Sequence, residues 1–177
     1  MNILKTLLFA ILLLPGFDNQ PKGKIPPWAI KGDFDGDGKP EFAWIVKPII
    51  NADNNGCEGD SCVAHLVFST PRFKTISLKN CIGAGIINLG PLNDDGRDVI
   101  GLRPETFTGC WHDYITYTFK NGKWQYFVPP FPTHCNQWEN NETPIERIPN
   151  EKGYVLIRYS EFEKNDIVVK KKVVKAL

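Results

Sequence analysis

The stretch KGDFDGDGKPEFAWIV, from Lys31 to Val46, carries four carboxylates within nine residues: Asp33, Asp35, Asp37 and Glu41. Counted from Asp33 they stand at positions one, three, five and nine, with Gly38 at position six. On a tightly wound loop, an odd-numbered series points its side chains into one cavity, and a hard cation such as calcium takes roughly six to eight oxygen ligands. Gly38 permits the sharp reversal, and the backbone carbonyl of Lys39, at position seven, supplies a further oxygen. Without a cation the acids repel one another at close range. A plain Asp-Gly turn accounts for the glycines and one or two aspartates, but not for four acids in register. The expected cofactor is calcium, held by Asp33, Asp35, Asp37, Lys39 and Glu41.

Around this turn, short alternating runs of apolar and polar residues recur between clusters of Gly, Pro, Asn and Asp, and helical periodicity is absent after the first twenty residues. That pattern predicts an all-β domain. Strands are expected over Trp28–Lys31, Glu41–Ile49, Val63–Ser69, Phe73–Leu78, Gly85–Leu89, Asp98–Arg103, Tyr114–Lys120, Lys123–Val128, Tyr154–Tyr159 and Ile167–Val174. Asn121-Gly122 supplies the two positive φ values of a type I′ hairpin. The Pro- and Asn-rich segment from Pro129 to Asn150 reads as a long ordered loop with one short strand at Ile145–Ile148.

The acidic stretch also has a counterpart. IKGDFDGDGKPEFAWI and INLGPLNDDGRDVIGL each run from an apolar strand through an Asx-Gly turn into a second strand, with Gly38 and Gly96 equivalent. In the second copy Asn93 and Asp95 hold positions three and five, whereas Pro91 and Val99 stand at one and nine. Two ligands are missing, so a metal-free turn is expected there unless Asp94 or Asp98 substitutes. The duplication, about residues 27–81 and 84–135, predicts two four-stranded antiparallel meanders followed by a C-terminal hairpin. Residues 20–177 then form a single domain, and 42% hydrophobic content suffices for its core.

An EF-hand is excluded, since Trp44 occupies position twelve and Pro40 leads into a strand rather than a helix. The pattern D-x-D-x-D-G-x-x-E between two strands resembles the FG-GAP or VCBS repeats, the calcium-binding blades of integrin α-like β-propellers. The resemblance covers Ile30 to Ile45. It implies calcium ligation by the same five residues and propeller-blade-like meanders. A closed propeller needs several more blades than this length supplies.

The five cysteines, Cys57, Cys62, Cys81, Cys110 and Cys135, follow the second and fourth strands of each meander, so they are expected at the end opposite the acidic turn. The repeat suggests pairing Cys110 with Cys135, and Cys81 with Cys62 or Cys57; a local Cys57–Cys62 bridge is the competing arrangement. His65, His112 and His134 all lie near cysteines, but no paired-Cys zinc spacing is present. Trp111, Phe131 and Trp138 are candidate ligand-binding aromatics, next to Asn136, Gln137, Asn140 and Asn141, although aromatics in small β domains mostly fill the core. No serine sits in a nucleophile-elbow sequence, and the pairs of carboxylates read as solvated strand faces, so catalysis is not expected.

Residues 1–19 combine Lys5 with an uncharged, mostly apolar run from Thr6 to Phe17, the plan of a signal peptide too short to span a bilayer comfortably. A secreted or periplasmic protein without stable membrane insertion is expected, and disulfides suit that compartment. The net charge of +1 gives no electrostatic case for nucleic acid. The function that emerges is an exported, calcium-stabilised β domain acting as a binding or structural module, with a protein or glycan partner. The alternatives are a small exported inhibitor or immunity-type protein, using the Pro/Asn loop as an inserting element, and a carbohydrate-binding module using the aromatic loop.

Overall fold

The computed structural model describes residues 24–53, 55–59, 61–139 and 143–177. The leader expected over residues 1–19 lies outside them. The architecture is all-β, in three antiparallel sheets with no closed barrel.

The first sheet is a meander of β1 (Ile30–Gly32), β2 (Glu41–Val46), β3 (Val63–Phe68) and β4 (Ile76–Lys79), each paired with its neighbour in sequence. The second repeats that order with β5 (Gly83–Asn88), β6 (Ile100–Glu105), β7 (Trp111–Lys120) and β8 (Lys123–Tyr126). The third holds β10 (Ile145–Arg147), β11 (Tyr154–Glu163) and β12 (Asp166–Lys175). The expected pair of four-stranded meanders and the C-terminal hairpin are therefore present, with β10 added to the hairpin.

The second sheet is the middle layer, because its strands bury both faces. In β6, Ile100 and Leu102 join Phe34, Ala43, Leu66, Phe68 and Phe73 in a core shared with the first sheet. Val99, just before β6, joins Tyr114, Phe127, Ile145, Val155 and Ile157 in a second core against the third sheet. The period-two alternation of a strand makes this division possible: in β7, Tyr117 and Phe119 face one core while Tyr114 faces the other. Trp124, stacked on Phe68 at 4.7 Å between ring centroids, closes the first core beside Phe73 and Phe119.

Two regions differ from expectation. The stretch read as loop after Pro129 contains a strand, β9 (Phe131–His134), and a single-turn helix, α1 (Cys135–Glu139). β9 pairs with the first half of β7, Trp111 facing His134 and Tyr114 facing Phe131, while β8 pairs with the second half. Pro132 is tolerated within it because prolines can occupy edge strands, where a missing N–H breaks no ladder. The C-terminal hairpin is also longer than expected, since Lys164 and Asn165 both adopt positive φ (49° and 66°) and so make the tight turn that a lysine does not advertise.

The cysteine pairing expected for Cys62 and Cys81 is corrected. Cys57 and Cys62 are joined within the β2–β3 loop, with Cα atoms 5.2 Å apart, and Cys110 is joined to Cys135 at 4.9 Å. Cys81 is a buried free thiol. Its N–H donates to the Cys62 carbonyl at 3.3 Å, so the two backbones are neighbours. The Cys81 side chain instead enters the first core, its sulfur donating to the Lys79 carbonyl.

Candidate metal centre

The acidic turn is wound by its own carboxylates. Asp33 Oδ1 accepts the N–H groups of Gly36 (2.8 Å) and Asp37 (3.0 Å), and Asp33 Oδ2 accepts that of Gly38 (2.9 Å). Asp35 Oδ1 accepts from Asp37 N–H and Asp37 Oδ1 from Lys39 N–H. Gly36 and Gly38 carry the positive φ values, 76° and 81°, that wind the chain this tightly. Phe34 points the opposite way, fully buried in the first core, and its N–H donates to Glu41 Oε2 at 3.0 Å. Glu41, the first residue of β2, is thus tied back to the start of the turn.

One oxygen on each of three acids remains after these bonds, and all three converge. Arg72, from the β3–β4 loop, places its Nη2 against Asp35 Oδ2, 3.5 Å from Asp37 Oδ2 and 3.8 Å from Glu41 Oε1. The side chains of Asp35 and Glu41 are only 7% exposed. Among the described residues Asp35 Oδ2 is buried, accepts no hydrogen bond and is held by its ion pair with Arg72. Carboxylate oxygens of Asp33, Asp35 and Asp37 lie within 4.8 Å of one another. Burial, reinforced by the neighbouring Asp35, Asp37 and Asp33 charges, pushes the Glu41 carboxyl above its usual range despite the Phe34 N–H. Asp37 is held below that range, chiefly by the Lys39 N–H bond. Convergent carboxylate oxygens of this kind fit a hard divalent cation. The residues that would hold such a cation are Asp33, Asp35, Asp37 and Glu41; Lys39 follows on the exposed rim, its N–H bonded to Asp37.

The second turn repeats part of this wiring. Asn93 Oδ1 accepts from Asp95 N–H and Asp95 Oδ1 from Arg97 N–H, matching Asp35 and Asp37, and Gly96 has φ 77° beside 81° at Gly38. Val99, in the place of Glu41, is fully buried. Asp95 is neutralised by Arg97 at 2.9 Å. Neither substitute ligand is free, since Asp94 pairs with Arg147 and Asp98 accepts from Asp33 N–H and Asn88 Nδ2. The two turns lie against each other, with Arg97 Nε donating to the Asp35 carbonyl.

Local sequence did not reveal Arg72 or Arg97, and offered Asp98 only as a substitute ligand of the second turn, because each reaches the acidic turn from a segment at least thirty residues away. The candidate ligand-binding aromatics are not brought to one face. Phe131 is core, Trp111 is 44% exposed in edge contact with His134, and Trp138 packs on Tyr114 and beneath Arg103. Cys110, Cys135 and His134 cluster closely, but the two sulfurs are bonded to each other and are not thiolate ligands. His65 bonds Ser77 and His112 bonds the Gly109 carbonyl. The chain matches no protein-family model, no curated protein and no solved structure.

Proposed function

We propose that this chain is an exported β domain that binds one calcium ion in the Asp33–Glu41 turn and acts as a binding or structural module. The observation that carries the reading is the convergence of Asp35 Oδ2, Asp37 Oδ2 and Glu41 Oε1 on the single nitrogen of Arg72. A guanidinium there balances charge, but it leaves Asp35 Oδ2 without a hydrogen bond, a lack that a cation taking oxygen ligands would remedy. The FG-GAP or VCBS resemblance of the same residues agrees with this reading. Bound calcium neutralises the turn. Because β1, β2 and the second turn all attach to it, the binding energy becomes folding energy for both meanders.

Export is supported by the leader-like first nineteen residues and by the two disulfides. Among the described residues no helix is long and apolar enough to cross a membrane.

Thermal melting of chelated protein against protein with calcium tests the proposal. At hundredfold excess over Kd, the expected rise in Tm is about 5–10 °C. The rise should vanish in Asp35→Ala, while magnesium should give a smaller shift. A melting curve indifferent to calcium would end the proposal.

A further inference from the structure

A cavity lies away from the acidic turn, between the second sheet and the segment that leads into the third. It measures about 380 Å3 and is walled by Ile86, Ile87, Leu89, Tyr114, Trp138 and Pro144, with Arg103 as its cationic group. Arg103 is half-buried, its guanidinium 5.0 Å from the centre of the Trp138 ring. Among the described residues no carboxylate pairs with it and no hydrogen bond satisfies it. That separates it from Arg72, Arg97, Arg147 and Arg158, each of which has an acidic partner.

The wall opposite Arg103 is missing by sequence. Gly85 stands directly across from Arg103 in the β5–β6 pairing, and a Cβ there would lie 3.9 Å from Arg103 Nη2. Any larger side chain would reach into the space beside the guanidinium. Gly85 has no positive φ and sits in mid-strand, where glycine weakens a sheet, so backbone conformation does not explain it. It leaves the charged group open to the cavity. Such glycines mark sites where a ligand approaches closely.

We propose that this cavity binds a small free carboxylic acid with an apolar body, the carboxylate meeting Arg103 and the body lying against Trp138, Ile87 and Leu89. One guanidinium and no second cation in the lining suit a monoanion, and the planar fork matches the two oxygens of a carboxylate. Trp138 covers one face of the guanidinium and fixes its direction. Volume, apolar walls and a single charged anchor are the features of a small-molecule pocket. The site is independent of the calcium reading, since it shares no residue with the acidic turn.

The test is calorimetric titration of the disulfide-intact protein with 3-phenylpropanoate, its neutral amide, and N-acetyl-alanyl-phenylalanine. The acid should bind one to one, and the amide about tenfold or more weaker, the loss expected for a charged hydrogen bond. Arg103→Gln should reproduce that loss, and Gly85→Val should block binding while leaving all charged groups in place. Melting curves confirm that both variants fold, and valine suits the strand at that position. Equal affinity for acid and amide, unaltered binding in Gly85→Val, or no saturable binding by 3-phenylpropanoate would each overturn the proposal. Binding by the peptide acid alone would also overturn it, and would make the cavity a reader of chain ends instead.

Discussion

Asp33 and Asp98 exchange hydrogen bonds between the two meanders: Asp33 N–H donates to Asp98 Oδ2 at 3.0 Å, and Asp98 N–H donates to the Asp33 carbonyl at 2.9 Å. Asn88 Nδ2 adds bonds to the same Asp98 oxygen (2.7 Å) and to the Lys31 carbonyl (2.9 Å). The start of the acidic turn is thereby fastened to the end of its degenerate copy.

Asp98→Ala should therefore destabilise the protein without abolishing metal binding. It leaves the Asp33 N–H and the Asn88 amide short of an acceptor in a partly buried setting, which costs about 1–3 kcal/mol. Urea unfolding measures the loss. The calcium-induced rise in Tm should survive, because Asp98 belongs to the linkage and not to the donor set. Loss of the calcium response in this variant would move Asp98 into the ligand shell.

Arg72→Ala should raise calcium affinity while lowering the stability of the chelated protein. The guanidinium neutralises Asp35, Asp37 and Glu41 when no metal is bound, and it must leave when a cation takes those oxygens. Since Arg72 is half exposed, screening keeps its contribution to about 1 kcal/mol or less, so the gain in affinity is roughly threefold to fivefold. Calorimetric calcium titration of the variant and the parent measures it. Weaker binding in the variant would show that Arg72 supports the site instead of competing for it.

Tyr114 and Tyr117 should limit stability in alkali. Burial raises both phenols well above their ordinary value, with the Arg103 charge partly opposing it at Tyr114 and Tyr126 reinforcing it at Tyr117. A phenol raised on folding contributes stability that is fully present below its unfolded pKa of about 10 and is lost as pH climbs toward the folded value. Denaturation midpoints should fall above that pH. Absorbance at 295 nm should show two of the five tyrosines ionising only as the chain unfolds. In Tyr117→Phe the alkaline slope should flatten; an unchanged slope would clear Tyr117 of that role.

The two bridges should differ in weight. Cys110 and Cys135 lie 25 residues apart and Cys57 and Cys62 only five. On the loop-entropy model, removing the longer crosslink costs about 3.5 kcal/mol and the shorter about 2 kcal/mol. Paired Cys→Ser variants under chemical unfolding measure this. In the same experiments iodoacetamide should label Cys81 only after unfolding, because burial both shields the thiol and raises its pKa. Labelling of Cys81 in the native protein, or a Cys62–Cys81 peptide in a non-reduced digest, would contradict the structure.

Much of the architecture was legible because strands announce themselves through alternation. β1 to β8 and β10 to β12 lie within or largely over the expected runs, and Asn121-Gly122 makes its hairpin with φ values of 54° and 75°. Departures occur where tertiary contacts override local preference. β9 forms across Pro132 because the upper half of β7 offers an unpaired edge. Phe73, expected in a strand, lies in a turn before β4, placed there by its aromatic contacts in the first core.

What the sequence alone determined is the acidic turn, its weaker copy, and the alternation that yields two meanders and a terminal hairpin. All of these rest on interactions between residues a few positions apart, where spacing is geometry. Only the tertiary structure decided that Arg72 faces the carboxylates, that Asp98 ties the turns together, that Cys81 stays free, and that Gly85 opens a cavity beside Arg103. Each depends on which faces of three sheets are buried together. That choice is made by the packing of both cores, and no local pattern encodes it.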